Sequence, residues 1–105
     1  MTRQRLPNRR PNFTTKLIYE STSYSVTLGY DVCNDRVAEV FTHGAKVGSA
    51  MDRILDDICV ALSLLLQYGV EPAALAASMG RLGDETSPAS IIGALADLIA
   101  QESRS

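Results

Sequence analysis

Gly44, Lys46, Gly48 and Ser49 are the residues best spaced for ligand chemistry, in the run Gly44-Ala45-Lys46-Val47-Gly48-Ser49 ahead of a helical pattern. Glycines before a helix start let backbone N–H groups face a ligand, and the helix dipole there favours negative charge. The Lys46 ammonium and Ser49 hydroxyl would complete an anion or nucleotide site. The spacing differs from the phosphate loop GxxxxGK[ST], and an ordinary strand-to-helix turn accounts for the same residues.

A second candidate is the basic N-terminal arm with Arg5, Arg9, Arg10 and Lys16. Together with Arg3 these place five cations and no acid in the first 16 residues of a chain whose net charge is −2, so the rest carries −7. Arginines pair bidentately with carboxylates on a protein partner, or contact a nucleic-acid backbone through charge. The acidic body argues against nucleic acid wrapping around the folded part. The arm also lacks the interleaved aromatics on which single strands stack. A solvated tail is the plainest alternative.

Catalytic groups are few. The chain has one histidine, His43, no tryptophan and two cysteines. No Ser/His/Asp spacing and no paired Cys or His suggests a nucleophile or a metal, so no catalytic residue, metal site or cofactor is expected. Asp56 and Asp57 are adjacent on a helix and point about 100° apart, which suits a solvated face better than a shared site. Cys59 reads as core packing and Cys33 as a turn thiol, in a reducing compartment.

The elements that would position these groups follow from periodicity. Pro7 and Pro11 keep residues 1–12 extended. Alternation of Phe13, Thr15, Leu17 and Tyr19 predicts one strand, and that of Tyr24, Val26, Leu28, Tyr30 and Val32 a second, with Ser-Thr-Ser at 21–23 breaking the run between them. Cys33-Asn34-Asp35-Arg36 reads as a turn, and Val37–Thr42 as a third strand. Met51, Ile54, Leu55, Ile58, Leu62, Leu65 and Leu66 then recur at helical spacing, with Gly69 as the stop. From Val60 to Leu66 this helix is apolar nearly all round, so it should be covered on more than one side. Pro72 to Gly80 frames a short helix through Met79, and Ser87-Pro88 the start of a last one.

The order β-β-β-α-α-α predicts an α+β fold: a three-stranded antiparallel meander followed by three helices, the long central one packed on the sheet. The 105 residues allow one domain, here a basic arm over 1–12 and a body over 13–102. Composition excludes disorder, collagen and a coiled-coil rod, and no apolar run spans a membrane, so the chain is expected in the cytoplasm. A three-stranded sheet has two open edges, which with the apolar helix half favours a homodimer.

Arg5-Leu6-Pro7-Asn8-Arg9-Arg10-Pro11, Ala38-Glu39-Val40-Phe41, Lys46-Val47-Gly48-Ser49 and Ala61-Leu62-Ser63-Leu64-Leu65-Leu66-Gln67-Tyr68-Gly69-Val70, in this order and spacing, resemble the TSCPD domain. That module occurs at the C-terminus of adenosylcobalamin-dependent ribonucleotide reductases and in small stand-alone bacterial proteins. The likeness runs from about Arg5 to Leu82, and the segment after it resembles the stand-alone branch. The Thr-Cys-Pro-Asp motif that names the domain is absent here, so metal binding through it is not implied. Nor is there room for a reductase barrel with its radical cysteine. The resemblance implies an accessory or regulatory module of deoxyribonucleotide or DNA metabolism. Two alternatives stay open beside docking to a protein partner: a small DNA/RNA-binding regulator, or a nucleotide sensor at Gly44–Ser49.

Overall fold

The computed structural model describes residues 12–31, 36–43, 49–83 and 86–103. Its elements are β1 (Asn12–Tyr19), β2 (Thr22–Asp31), β3 (Arg36–His43), α1 (Ser49–Gln67), α2 (Pro72–Ala77) and α3 (Ile91–Glu102). The strands form an antiparallel sheet in the order β1-β2-β3, so the expected α+β meander with three following helices is the observed one.

β1 and β2 meet at a two-residue turn, Glu20-Ser21, where both residues have positive φ (49° and 66°). A hairpin with φ positive at both central positions matches the twist of its strands. Neither residue is glycine or asparagine, so both pay the steric cost of left-handed backbone. The turn begins earlier than the Ser-Thr-Ser break suggested, and Thr22 and Ser23 belong to β2.

Register places Phe13, Thr15 and Leu17 opposite Leu28, Val26 and Tyr24 on the inner face. Val26 and Leu28 in turn oppose Thr42 and Val40 of β3. Between Gly29 and Tyr30 the register shifts, leaving Gly29 opposite Glu39 and Tyr30 opposite Val37. The inner face packs against both long helices, with Val26, Leu28, Val37, Val40, Leu62, Leu95 and Ile99 fully enclosed.

α1 lies along β3 rather than across the middle of the sheet. Ser63 Oγ accepts the Val40 N–H at 2.9 Å and donates to the Val40 carbonyl at 3.4 Å, while Gln67 Nε2 donates to the Ala38 carbonyl at 3.2 Å. These backbone groups form the β3 edge, so the expectation of two open edges is corrected: polar side chains of α1 close this one. Such cover is needed because an unpaired strand edge invites pairing with another chain.

α1 ends as expected at Gly69, at φ 101°, where Gly69 N–H bonds the Leu66 carbonyl and Val70 N–H the Leu65 carbonyl. This is the paired-bond terminus that needs glycine. The two short ends differ from the sequence reading. α2 stops at Ala77, and α3 starts at Ile91 with Ser90 as its cap, its hydroxyl accepting from Gly93 N–H at 3.1 Å. Ser87-Pro88 instead belongs to a small antiparallel ribbon, with Arg81 bridged to Pro88, Leu82 N–H bonded to Ser87 and Ala89 N–H to Gly80. Proline is a good helix starter, but a cap also needs its hydroxyl aimed at the exposed N–H groups, and Ser90 supplies that.

Candidate functional site

Of the basic candidates, Lys16 lies on the described structure; Arg5, Arg9 and Arg10 lie outside the described residues. Lys16 is exposed at the middle of β1, on the sheet face turned away from the helices. It opposes Ser25, which opposes His43, so one row across the three strands reads Lys16, Ser25, His43. The neighbouring row is Thr14, Thr27, Phe41.

Hydroxyls tie these rows together. Thr14 Oγ1 and Thr27 Oγ1 are 2.8 Å apart, and Thr27 Oγ1 is 3.0 Å from His43 Nε2. His43 therefore has a neutral hydroxyl beside it on an exposed face. A general base is usually oriented by a carboxylate and placed in a cleft, so this setting suits a surface hydrogen-bonding group. At the far end of the same face the buried Glu39 side chain lies over Gly29, where a Cβ would stand 2.5 Å from Glu39 Oε1.

Gly44, Lys46 and Gly48 lie outside the described residues, and so does the side chain of Ser49, whose backbone opens α1. Met51, two residues on, lines a cleft of about 250 Å³ with Tyr19, Glu20, Thr22, Tyr24 and Ile91. Partial burial holds the Tyr19 phenol above its ordinary pKa, with the negative charge of Glu20 and then Tyr24 adding to the effect. The sequence reading missed this cleft because its walls come from the hairpin, α1 and α3, which are remote in the chain. The run of Tyr19, Glu20 and Tyr24 around a short turn is the only local signal for it.

The other chemical candidates fall where packing or solvent would put them. Cys59 is buried under β3, its thiol pushed up by burial and its Sγ 3.8 Å from Thr42 Oγ1, which makes it a poor nucleophile. Cys33 lies outside the described residues. Asp56 and Asp57 are both exposed. Among the described residues, no group of three or more His, Cys, Asp or Glu could hold a metal, and no helix is long and apolar enough to cross a membrane.

Comparison with known proteins agrees with this picture of a small module. The chain is 34% identical over 68 residues to a vitamin B12-dependent ribonucleotide reductase of Agrobacterium fabrum, and 33% identical over 69 residues to the protein of that name from Bradyrhizobium diazoefficiens. Each alignment covers 65% of this chain and 5% of the relative, so the chain spans about 5% of the length of the reductases it matches. No solved structure is significantly similar to it. The TSCPD domain family matches residues 2–103, from the basic arm through α3 and further than the Arg5–Leu82 likeness. With a match over nearly its whole length, the chain belongs to the TSCPD domain family.

Proposed function

We propose that this chain is a cytoplasmic accessory module of deoxyribonucleotide or DNA metabolism that works by docking a protein partner. Arg5, Arg9 and Arg10 pair with carboxylates of that partner, because a guanidinium offers two parallel donors to one carboxylate. Lys16 continues the cationic surface onto the open sheet face, beside the Thr14–Thr27–His43 hydroxyl and imidazole chain. The sheet, pinned to α1 and α3, is the rigid scaffold behind it. The observation that carries this reading is the family match over residues 2–103 in a chain that spans 5% of its reductase relatives. The reductases' own chemistry is not carried over to this chain, because function is argued from the site.

The test is a tagged capture from the native host with and without nuclease, repeated with Arg9→Ala/Arg10→Ala. A protein recovered in both conditions and lost in the double variant supports docking. Recovery abolished by nuclease moves the arm onto nucleic acid and makes a DNA/RNA-binding regulator the function.

A second reading, nucleotide sensing at Gly44–Ser49, is favoured by the cleft lined by Met51, which follows Ser49 by two positions in the sequence. Lys46 would supply the charge for the phosphates and the cleft the space for a base.

A further inference from the structure

We infer that the chain forms a two-fold symmetric dimer in which the α1 helices of two copies pack antiparallel along one apolar stripe. The inference is independent of the docking reading above. Met51, Ile54, Ile58, Ala61, Leu65 and Tyr68 follow one another at alternating spacings of three and four, the seven-residue repeat that keeps one stripe of a helix facing another helix. Tyr68 is still on the helix, its N–H bonded to the Leu64 carbonyl at 2.9 Å. No charged residue falls in the stripe. The core side of α1 is carried by Leu55, Cys59, Leu62 and Leu66, with Ile58 on the border between that face and the stripe.

Ile58 is partly buried against the core, and the rest of the stripe is left uncovered by the described residues. Met51 is 42% exposed, Ile54 53%, Leu65 42% and Tyr68 40%. Among the described residues, the expectation that the apolar half of α1 is covered on more than one side is therefore not met.

Three observations select a second copy as the cover. The stripe is nearly palindromic about its midpoint, so an antiparallel partner sets Ile54 against Leu65, Met51 against Tyr68 and bulky Ile58 against small Ala61, each contact occurring twice as an isologous interface requires. Over about 26 Å of helix these side chains give an interface on the order of 1,000 Å² in total, at the threshold a specific dimer must clear. And the Met51 end carries a cleft lined by Tyr19, Tyr24 and Ile91, while the other end carries an exposed aromatic ring. The symmetry brings Tyr68 of the partner subunit to the mouth of that cleft, knob to hole, at both ends of the pair.

Other occupants fit less well. The basic arm offers Leu6 among four arginines and two prolines, which does not match six apolar positions. Strand pairing at β3 is blocked by Ser63 and Gln67.

Sedimentation velocity of the whole chain over a concentration series tests the inference. The expected result is a dimer that dissociates on dilution, a monomer for Ile54→Glu/Leu65→Glu with an unchanged far-UV spectrum, and a dimer for Val60→Glu, which alters an exposed residue off the stripe. A wild-type chain that stays monomeric at the highest concentration, or a dimer in Ile54→Glu/Leu65→Glu, overturns it. If that double variant unfolds, cross-linking in a Cys33→Ser background decides. Met51→Cys and Tyr68→Cys chains should link to each other when mixed and neither should link to itself. Linking within one variant, or no linking at all, overturns the antiparallel arrangement.

Discussion

Ser63 and Val40 hold each other at both ends of one residue: the Ser63 hydroxyl accepts the Val40 N–H at 2.9 Å and donates back to its carbonyl at 3.4 Å. Both are buried. A single side chain thus substitutes for the strand that would otherwise pair with β3 here. Ser63→Ala leaves a buried N–H and carbonyl without this partner, which costs about 1–3 kcal/mol. Urea unfolding should show a lower midpoint at unchanged slope, the shift being that loss divided by the slope. An unchanged midpoint would mean that water reaches the edge and α1 does not protect it.

Gly29 is required by its neighbour across the sheet. A Cβ there would lie 2.5 Å from Glu39 Oε1 and 2.6 Å from Glu39 Cγ, so Gly29→Ala must push the Glu39 side chain away. Overpacking of this kind costs about 1–3 kcal/mol. Most of it should be relieved in Gly29→Ala/Glu39→Ala relative to Glu39→Ala alone, since the obstruction is gone. Thermal melts of the four proteins form a double-mutant cycle, and a coupling energy near zero would contradict the close approach.

Arg81 and Asp97 join the ribbon after α2 to α3 by a bidentate pair at 2.5 and 2.6 Å, and Arg81 also donates to the Ala76 carbonyl at 3.1 Å. The Arg81 hydrogen bonds hold the Asp97 carboxyl below its ordinary pKa, with burial acting in the opposite sense. Because the folded value is the lower one, the pair's contribution is fully present above the unfolded carboxylate pKa of about 4 and is lost as pH falls through the folded value. Asp97→Asn should cost about 1–2 kcal/mol at neutral pH, a figure limited by the pair's partial exposure. It should also flatten the acid limb of the stability–pH curve. An acid limb as steep as in the wild type would show that other carboxylates set it.

Loop and arm are separable by ligand. If nucleotide binds at Gly44–Ser49, a saturating nucleotide at about 100 times its Kd stabilises the fold by about 2.7 kcal/mol, and Lys46→Ala should abolish the rise in Tm. If nucleic acid binds at the arm, log affinity should fall with log salt by about 0.9 per phosphate contacted, and Lys16→Ala should reduce that slope. Neither effect is expected if the arm docks a protein.

Much of the fold was legible because its signals are local. Alternation at Tyr24, Val26 and Leu28 and helical spacing at Leu55, Leu62 and Leu66 report which side is buried without reference to a partner. Gly69 stops α1 for a reason carried by its own backbone, the positive φ. Ser87-Pro88 misled because a proline suits a helix start and a ribbon equally, and only the pairing of Arg81 with Pro88 distinguishes them. For the candidate site, the sequence grouped Lys16 with the basic arm but gave no hint of its row with Ser25 and His43, which depends on register.

By itself the sequence determined the class of the fold, the basic arm against an acidic body, and the family. Those rest on composition, period and motif order, all properties of neighbours in the chain. Tertiary structure alone decided that α1 seals the β3 edge through Ser63 and Gln67, that Glu39 needs Gly29 beside it, and that Met51 borders a cleft shared with Tyr19, Tyr24 and Ile91. Each joins residues far apart in sequence. Such contacts depend on the angle at which whole elements pack, and no local propensity encodes that angle.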